Sequence, residues 1–148
     1  MTRAKVAKSR RPEAERAAEN YLFHVCGCDP AQIVRAVRTK WQREDLWACD
    51  VIGRDIDGRC YYAQATAGQT EAVRTRRRKI ERISWNLYDT VMVLQLVESP
   101  DPANHRRKQW WFRVHRYDHK MEIWSVDPDA APVPTEWFKK LNTEGGTQ

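Results

Sequence analysis

Residues 48–66 read Ala-Cys-Asp-Val-Ile-Gly-Arg-Asp-Ile-Asp-Gly-Arg-Cys-Tyr-Tyr-Ala-Gln-Ala-Thr, and the fold turns on them. Two short runs, Ala48 to Arg54 and Arg59 to Thr66, flank Asp55-Ile56-Asp57-Gly58. An Asp-Gly pair between such runs is a strong hairpin signal. Ala67 and Gly68 then break the second run, and Thr70 caps a helix expected to reach about Ser84, with Val73, Ile80 and Ile83 on its buried side. Thr90 to Val97 is almost continuously apolar, as a buried central strand should be.

Working outward, Pro12 suits the first position of a helix in which Ala14, Ala17, Ala18, Tyr21, Leu22 and Val25 recur at helical spacing until Gly27. The eleven residues before and including Arg11 form a basic, mobile arm in this reading. Gln32 to Arg38 is expected as a strand, and Trp41 to Trp47 as a polar connection holding Glu44 and Asp45. Beyond a loop from Ser99 to Arg107, strands are expected at Lys108 to Tyr117 and Met121 to Val126, joined by Asp118-His119-Lys120. A proline-rich stretch and the Trp137-Phe138 segment follow, and Gly145-Gly146 lies in a frayed tail, 142–148. The order is helix, three strands, helix, strand and hairpin: an α/β fold around a mixed sheet, one domain spanning 12–141.

Composition bounds the function. With 148 residues, 41% hydrophobic and 31% charged, the chain can bury one core and should be globular. No apolar stretch is long enough to span a bilayer, and no apolar segment follows the basic start, so neither a membrane protein nor an exported one is expected, and a cytoplasmic location is. The net charge of +6 comes from an arginine-rich set, and arginine grips phosphate through a planar fork of donors. Nucleic acid is therefore the leading partner, against the blander reading of an arginine-rich composition with no such role. Cys26, Cys28, Cys49 and Cys60 lack zinc-site spacing and read as reduced, mostly buried thiols.

Asp50 opens the first hairpin strand, while Gln64 and Thr66 lie two apart near the end of the second, on one face. This ordering resembles the PD-(D/E)XK nuclease superfamily, including its Holliday junction resolvase-like and phage restriction-endonuclease-like members. The resemblance covers Pro12 to Val97, an αβββαβ restriction-endonuclease-like core, with the C-terminal hairpin as an addition. Cys49-Asp50 stands where that family has Pro-Asp, and Gln64-Ala65-Thr66 where it has Glu-x-Lys. Glu15 corresponds best to its acidic residue on the first helix, with Glu19 as second choice. The resemblance implies a Mg²⁺- or Mn²⁺-dependent endonuclease acting on DNA, in particular branched DNA, as a homodimer in a bacterial or phage-infected cell. Glu15, Asp50, Gln64 and the Ala65 carbonyl would hold the ion, and Thr66 would position water. The departures from Glu to Gln and from Lys to Thr remove charge from both metal and phosphate. A catalytically inactive nuclease fold serving as a nucleic-acid-binding or assembly module is the alternative. A partner-binding protein using the Trp-rich hairpin and no nucleic acid is a third.

Two basic clusters are candidate phosphate contacts. Arg74, Arg76, Arg77, Arg78, Lys79 and Arg82 crowd one helix against only Glu71 and Glu81. Arg106 and Arg107 precede Trp110, Phe112 and Val114, expected in the core. Trp111, Arg113, His115 and Tyr117 face the other way, towards bases, a packed tail or a partner. His24, His115 and His119 form no recognisable triad and read as satisfied or solvent-exposed side chains.

Overall fold

A computed structural model describes residues 2–35, 49–101, 104–127 and 131–141. It contains helix α1 (Thr2–His24), strands β1 (Val34–Arg35), β2 (Val51–Arg54) and β3 (Cys60–Thr66), helix α2 (Thr70–Glu81), and strands β4 (Thr90–Asp101), β5 (Asn104–Asp118), β6 (Ile123–Val126) and β7 (Ala131–Val133). One open, mostly antiparallel sheet runs β1-β2-β3-β4-β5-β6, with β7 also paired to β5. Among the described residues the one parallel pair is β3 with β4, the pair that α2 connects. Parallel neighbours require a crossover, so α2 must lie on one face of the sheet.

The expected hairpin forms. β2 and β3 pair antiparallel from Val51–Ala63 to Arg54–Cys60. At its tip Gly58 takes φ +81, and the Asp55 carboxylate accepts from the N–H groups of Asp57 and Arg59 at 3.0 and 2.9 Å. Tyr61 donates its hydroxyl to the same carboxylate at 2.9 Å. A short 3₁₀ turn, Pro30–Gln32, precedes β1, which is confined to Val34–Arg35; the rest of the strand expected to reach Arg38, and the Trp41 to Trp47 connection, lie outside the described residues.

Two apolar layers sandwich the sheet. On one face, Ala14, Ala17, Ala18, Tyr21 and Leu22 of α1 pack on Val51, Ala63, Ala65, Met92, Leu94, Phe112 and Val114. Small alanines let the helix approach closely, while Tyr21 meets Phe112 edge-on at 5.8 Å. On the other face, Val73 and Ile80 of α2 pack with Val91, Val93 and Tyr117. Alternation along β3 therefore turns Ala63 and Ala65 towards α1, and Tyr62, Gln64 and Thr66 towards α2. No helix among the described residues is long and apolar enough to cross a membrane.

Several expected boundaries move. The helix begins at Thr2, so the segment expected as a mobile arm is helical through Pro12; alanine, lysine and arginine favour helix, and the proline costs one backbone bond. Helix α2 ends at Glu81 rather than Ser84, and Gln69, not Thr70, is its cap residue, without a side-chain cap bond. The loop expected from Ser99 to Arg107 is largely ladder: β4 and β5 stay paired from Val91–Tyr117 to Asp101–Asn104. The register shifts beside Pro100, the irregularity by which a strand accommodates proline. Cys28 and Cys49 are buried, Cys26 and Cys60 half-buried, and none of the four is in a disulfide.

Candidate functional site

The hairpin ladder ends at Val51–Ala63, and the chain bends at Asp50. Asp50 still donates its N–H to the Ala63 carbonyl at 2.9 Å. Two residues further along β3, its carboxylate Oδ2 accepts from the Ala65 N–H at 2.8 Å. The Ala65 carbonyl accepts from Arg76 Nε at 3.2 Å. Asp50 and Arg76 thus stand where the next residues of a neighbouring strand would, completing the hydrogen bonding of a buried residue. Asp50 is 1% exposed and Gln64 1%, so both sit inside the fold rather than on a surface.

Asp50 and the Gln64-Ala65-Thr66 segment are brought together, as expected. Glu15 is not brought to the same face: it lies on α1, which covers the face opposite Gln64 and Thr66. Glu19, the second choice, pairs with Arg35 at 3.3 Å. The Thr66 hydroxyl oxygen accepts from the Gly68 N–H at 2.9 Å, fixing the turn into α2. Glycine is required there, because a Cβ on Gly68 would lie 2.5 Å from Ala72 Cβ. A magnesium shell needs converging anionic oxygens. Here the proposed carbonyl ligand accepts from a guanidinium, Gln64 is neutral, and the acid of α1 is across the sheet. Among the described residues no three His, Cys, Asp or Glu side chains are grouped to hold a metal ion. The donors gathered at this point are thus one carboxylate and a neutral amide, fewer anionic oxygens than such a shell uses.

Beside that segment, on the α2 face, lies a polar cluster. Arginine can only donate, so Arg77 Nη2, 2.6 Å from His115 Nδ1, fixes that nitrogen as an acceptor. The ring proton then sits on Nε2 and is donated to Gln95 Oε1 at 3.1 Å, while Gln95 Nε2 donates to the Gly68 carbonyl at 3.2 Å. The chain Arg77–His115–Gln95–Gly68 ties α2, β5, β4 and the β3–α2 turn together. Arg77 also lies over the Trp124 ring, 4.8 Å from its centre, and Trp124 donates to Glu81 at 2.7 Å. A cavity of about 250 Å³ opens here, lined by Thr70, Val73, Arg74, Arg77, Gln95, Arg113 and His115.

Burial, with Arg77 and Arg113 adding to it, pushes the His115 pKa down to about 4. The sign follows: between pH 6.5 and 4 the unfolded chain binds a proton that the folded one refuses. Stability is full above 6.5 and falls towards pH 4, by an amount on the order of 3 kcal/mol. Glu19, raised chiefly by burial against the pull of Arg35, titrates with the opposite sign. Urea midpoints at pH 7 and 4.5 should show the loss, and His115→Gln should flatten it. An equal loss in the variant would refute the assignment.

The six basic residues of α2 divide. Arg74, Arg78, Lys79 and Arg82 are exposed, whereas Arg76 and Arg77 turn inward to Ala65 and His115. Arg76 and Arg77 are therefore not on the expected phosphate-facing surface. Their positions fall between Val73 and Ile80 on the buried stripe, and that spacing was the available signal. Arg106 is exposed on β5, and the side chain of Arg107 lies outside what is described. Trp110, Phe112 and Val114 join the α1-side core as expected, and Tyr117 stacks on Trp124 at 4.7 Å. His119 bonds the Asp89 carbonyl at 3.1 Å, and His24 stacks on Trp137. No protein-family model, no curated protein and no solved structure matches the chain.

Proposed function

We propose that this chain binds nucleic acid through its phosphate backbone, on a nuclease-like core whose reaction-site positions now serve structure. One observation carries the reading: Arg74 and Arg78 of α2 and Arg82 at its C-cap recur every fourth residue, with Lys79 beside them, all exposed. Like charges at this spacing destabilise an isolated helix by a few tenths of a kcal/mol per pair, roughly. Glu71 offsets only Arg74, at 2.7 Å. A polyanion lying along the stripe would compensate Arg78 and Arg82. The element order α1, β1 to β3, α2, β4, with β3 antiparallel to β2 and parallel to β4, supports the nuclease-like core.

A metal-dependent endonuclease is the second reading, favoured by the meeting of Asp50 with Gln64-Ala65-Thr66. Incubation with labelled duplex, single-stranded and four-way-junction DNA, with Mg²⁺, Mn²⁺ or EDTA, separates the two. The first predicts equal retention in metal and in EDTA with no cleavage. Metal-dependent cleavage lost in Asp50→Asn establishes the second and refutes the first.

A further inference from the structure

We propose that the cavity between the first turns of α2 and the β4–β5 ladder binds a phosphate monoester, either the phosphorylated end of a strand or a free mononucleotide. The proposal deepens the nucleic-acid reading and rests on it for the strand-end source. Its volume, about 250 Å³, is roughly that of eight waters at about 30 Å³ each, enough for a phosphoryl group with part of its sugar and too little for a duplex.

Three arginines line this cavity from two elements, Arg74 and Arg77 from α2 and Arg113 from β5. Glu71 pairs with Arg74, and Glu81 acts on Arg77 from the next turn. The sheet wall supplies Gln95 and a neutral His115, neither of which offsets a cation. Arg77 is held in place by His115 and the Trp124 ring, and its Nε–H is buried with no partner among the described residues. The recess also meets the start of α2 at Thr70, where no side chain caps the helix N–H groups. Three arginines against two carboxylates leave a positive surplus, and a recess accepts a phosphorylated end where a groove would accept a continuing strand.

Full-length protein is titrated with two single-stranded DNAs of one sequence, one bearing a terminal phosphate and one a hydroxyl, and with adenosine monophosphate. The phosphorylated strand should bind roughly tenfold tighter, the worth of one charge-assisted hydrogen bond. Arg113→Gln, at an exposed position, should abolish that ratio. Lys79→Gln, outside the cavity, should weaken both strands equally. Equal binding of the two strands, unchanged in Arg113→Gln and undisturbed by the mononucleotide, overturns the pocket and leaves the backbone reading standing. Failure of both strands, with mononucleotide binding that needs Arg113, supports the pocket and removes the backbone reading.

Discussion

Replacing Arg74, Arg78, Lys79 and Arg82 together by glutamine is expected to weaken duplex-DNA binding about a hundredfold near physiological salt. Each of these side chains is exposed on one side of α2, and none belongs to the apolar stripe of Val73 and Ile80. Stability should change by no more than about 0.5 kcal/mol, because exposed substitutions rarely do more. Anisotropy titrations and urea melts of the same variant read both quantities. The inward pair behaves differently. Arg76→Gln removes the donor to the Ala65 carbonyl, and Arg77→Gln the donor to His115, so their first effect is on stability. A quadruple variant that binds as tightly as the parent would show that α2 is only a surface helix.

Asp50→Ala is expected to destabilise the fold by about 2–4 kcal/mol. It strips a buried N–H of its acceptor, at about 1–3 kcal/mol, and leaves a void at a position 1% exposed. Asp50→Asn keeps an oxygen for the Ala65 N–H and should recover about half of that loss. The pair of variants separates structure from chemistry. In the structural account stability follows the hydrogen bond, and DNA affinity in Asp50→Asn stays within about twofold of the parent, below a 1.4 kcal/mol change. If both variants melt like the parent while binding or cleavage collapses, Asp50 acts on the nucleic acid and the structural account fails.

What the sequence disclosed follows from the range of the interactions involved. The hairpin at Asp55 to Gly58 was legible because turn chemistry is local, and Gly58 does take positive φ. The buried strand from Thr90 and the face assignment of Trp110, Phe112 and Val114 came from short-period hydrophobicity. The pairing of β4 with β5 as far as Asp101–Asn104 was hidden, since Pro100 and the charges near it read as a loop while the ladder keeps Pro100 paired with Lys108. The site was legible only in part. Asp50 meeting Ala65 follows from a hairpin register, but the Arg77–His115–Gln95 chain joins residues 38 and 20 positions apart. Gln95 looked like an interruption in an apolar strand. Only the β4–β5 register, placing Gln95 opposite Arg113 and Val93 opposite His115, shows what it serves. The charge run of α2 likewise masked two inward arginines, because long cationic stems look alike until a helix is docked.

The measurement that bears most directly on the nucleic-acid reading is the salt dependence of duplex-DNA affinity, taken in EDTA from about 50 to 300 mM NaCl. About four phosphate contacts along α2 predict a log–log slope near −3.6. Binding that vanishes at the lowest salt, or that persists with a slope near zero, contradicts it.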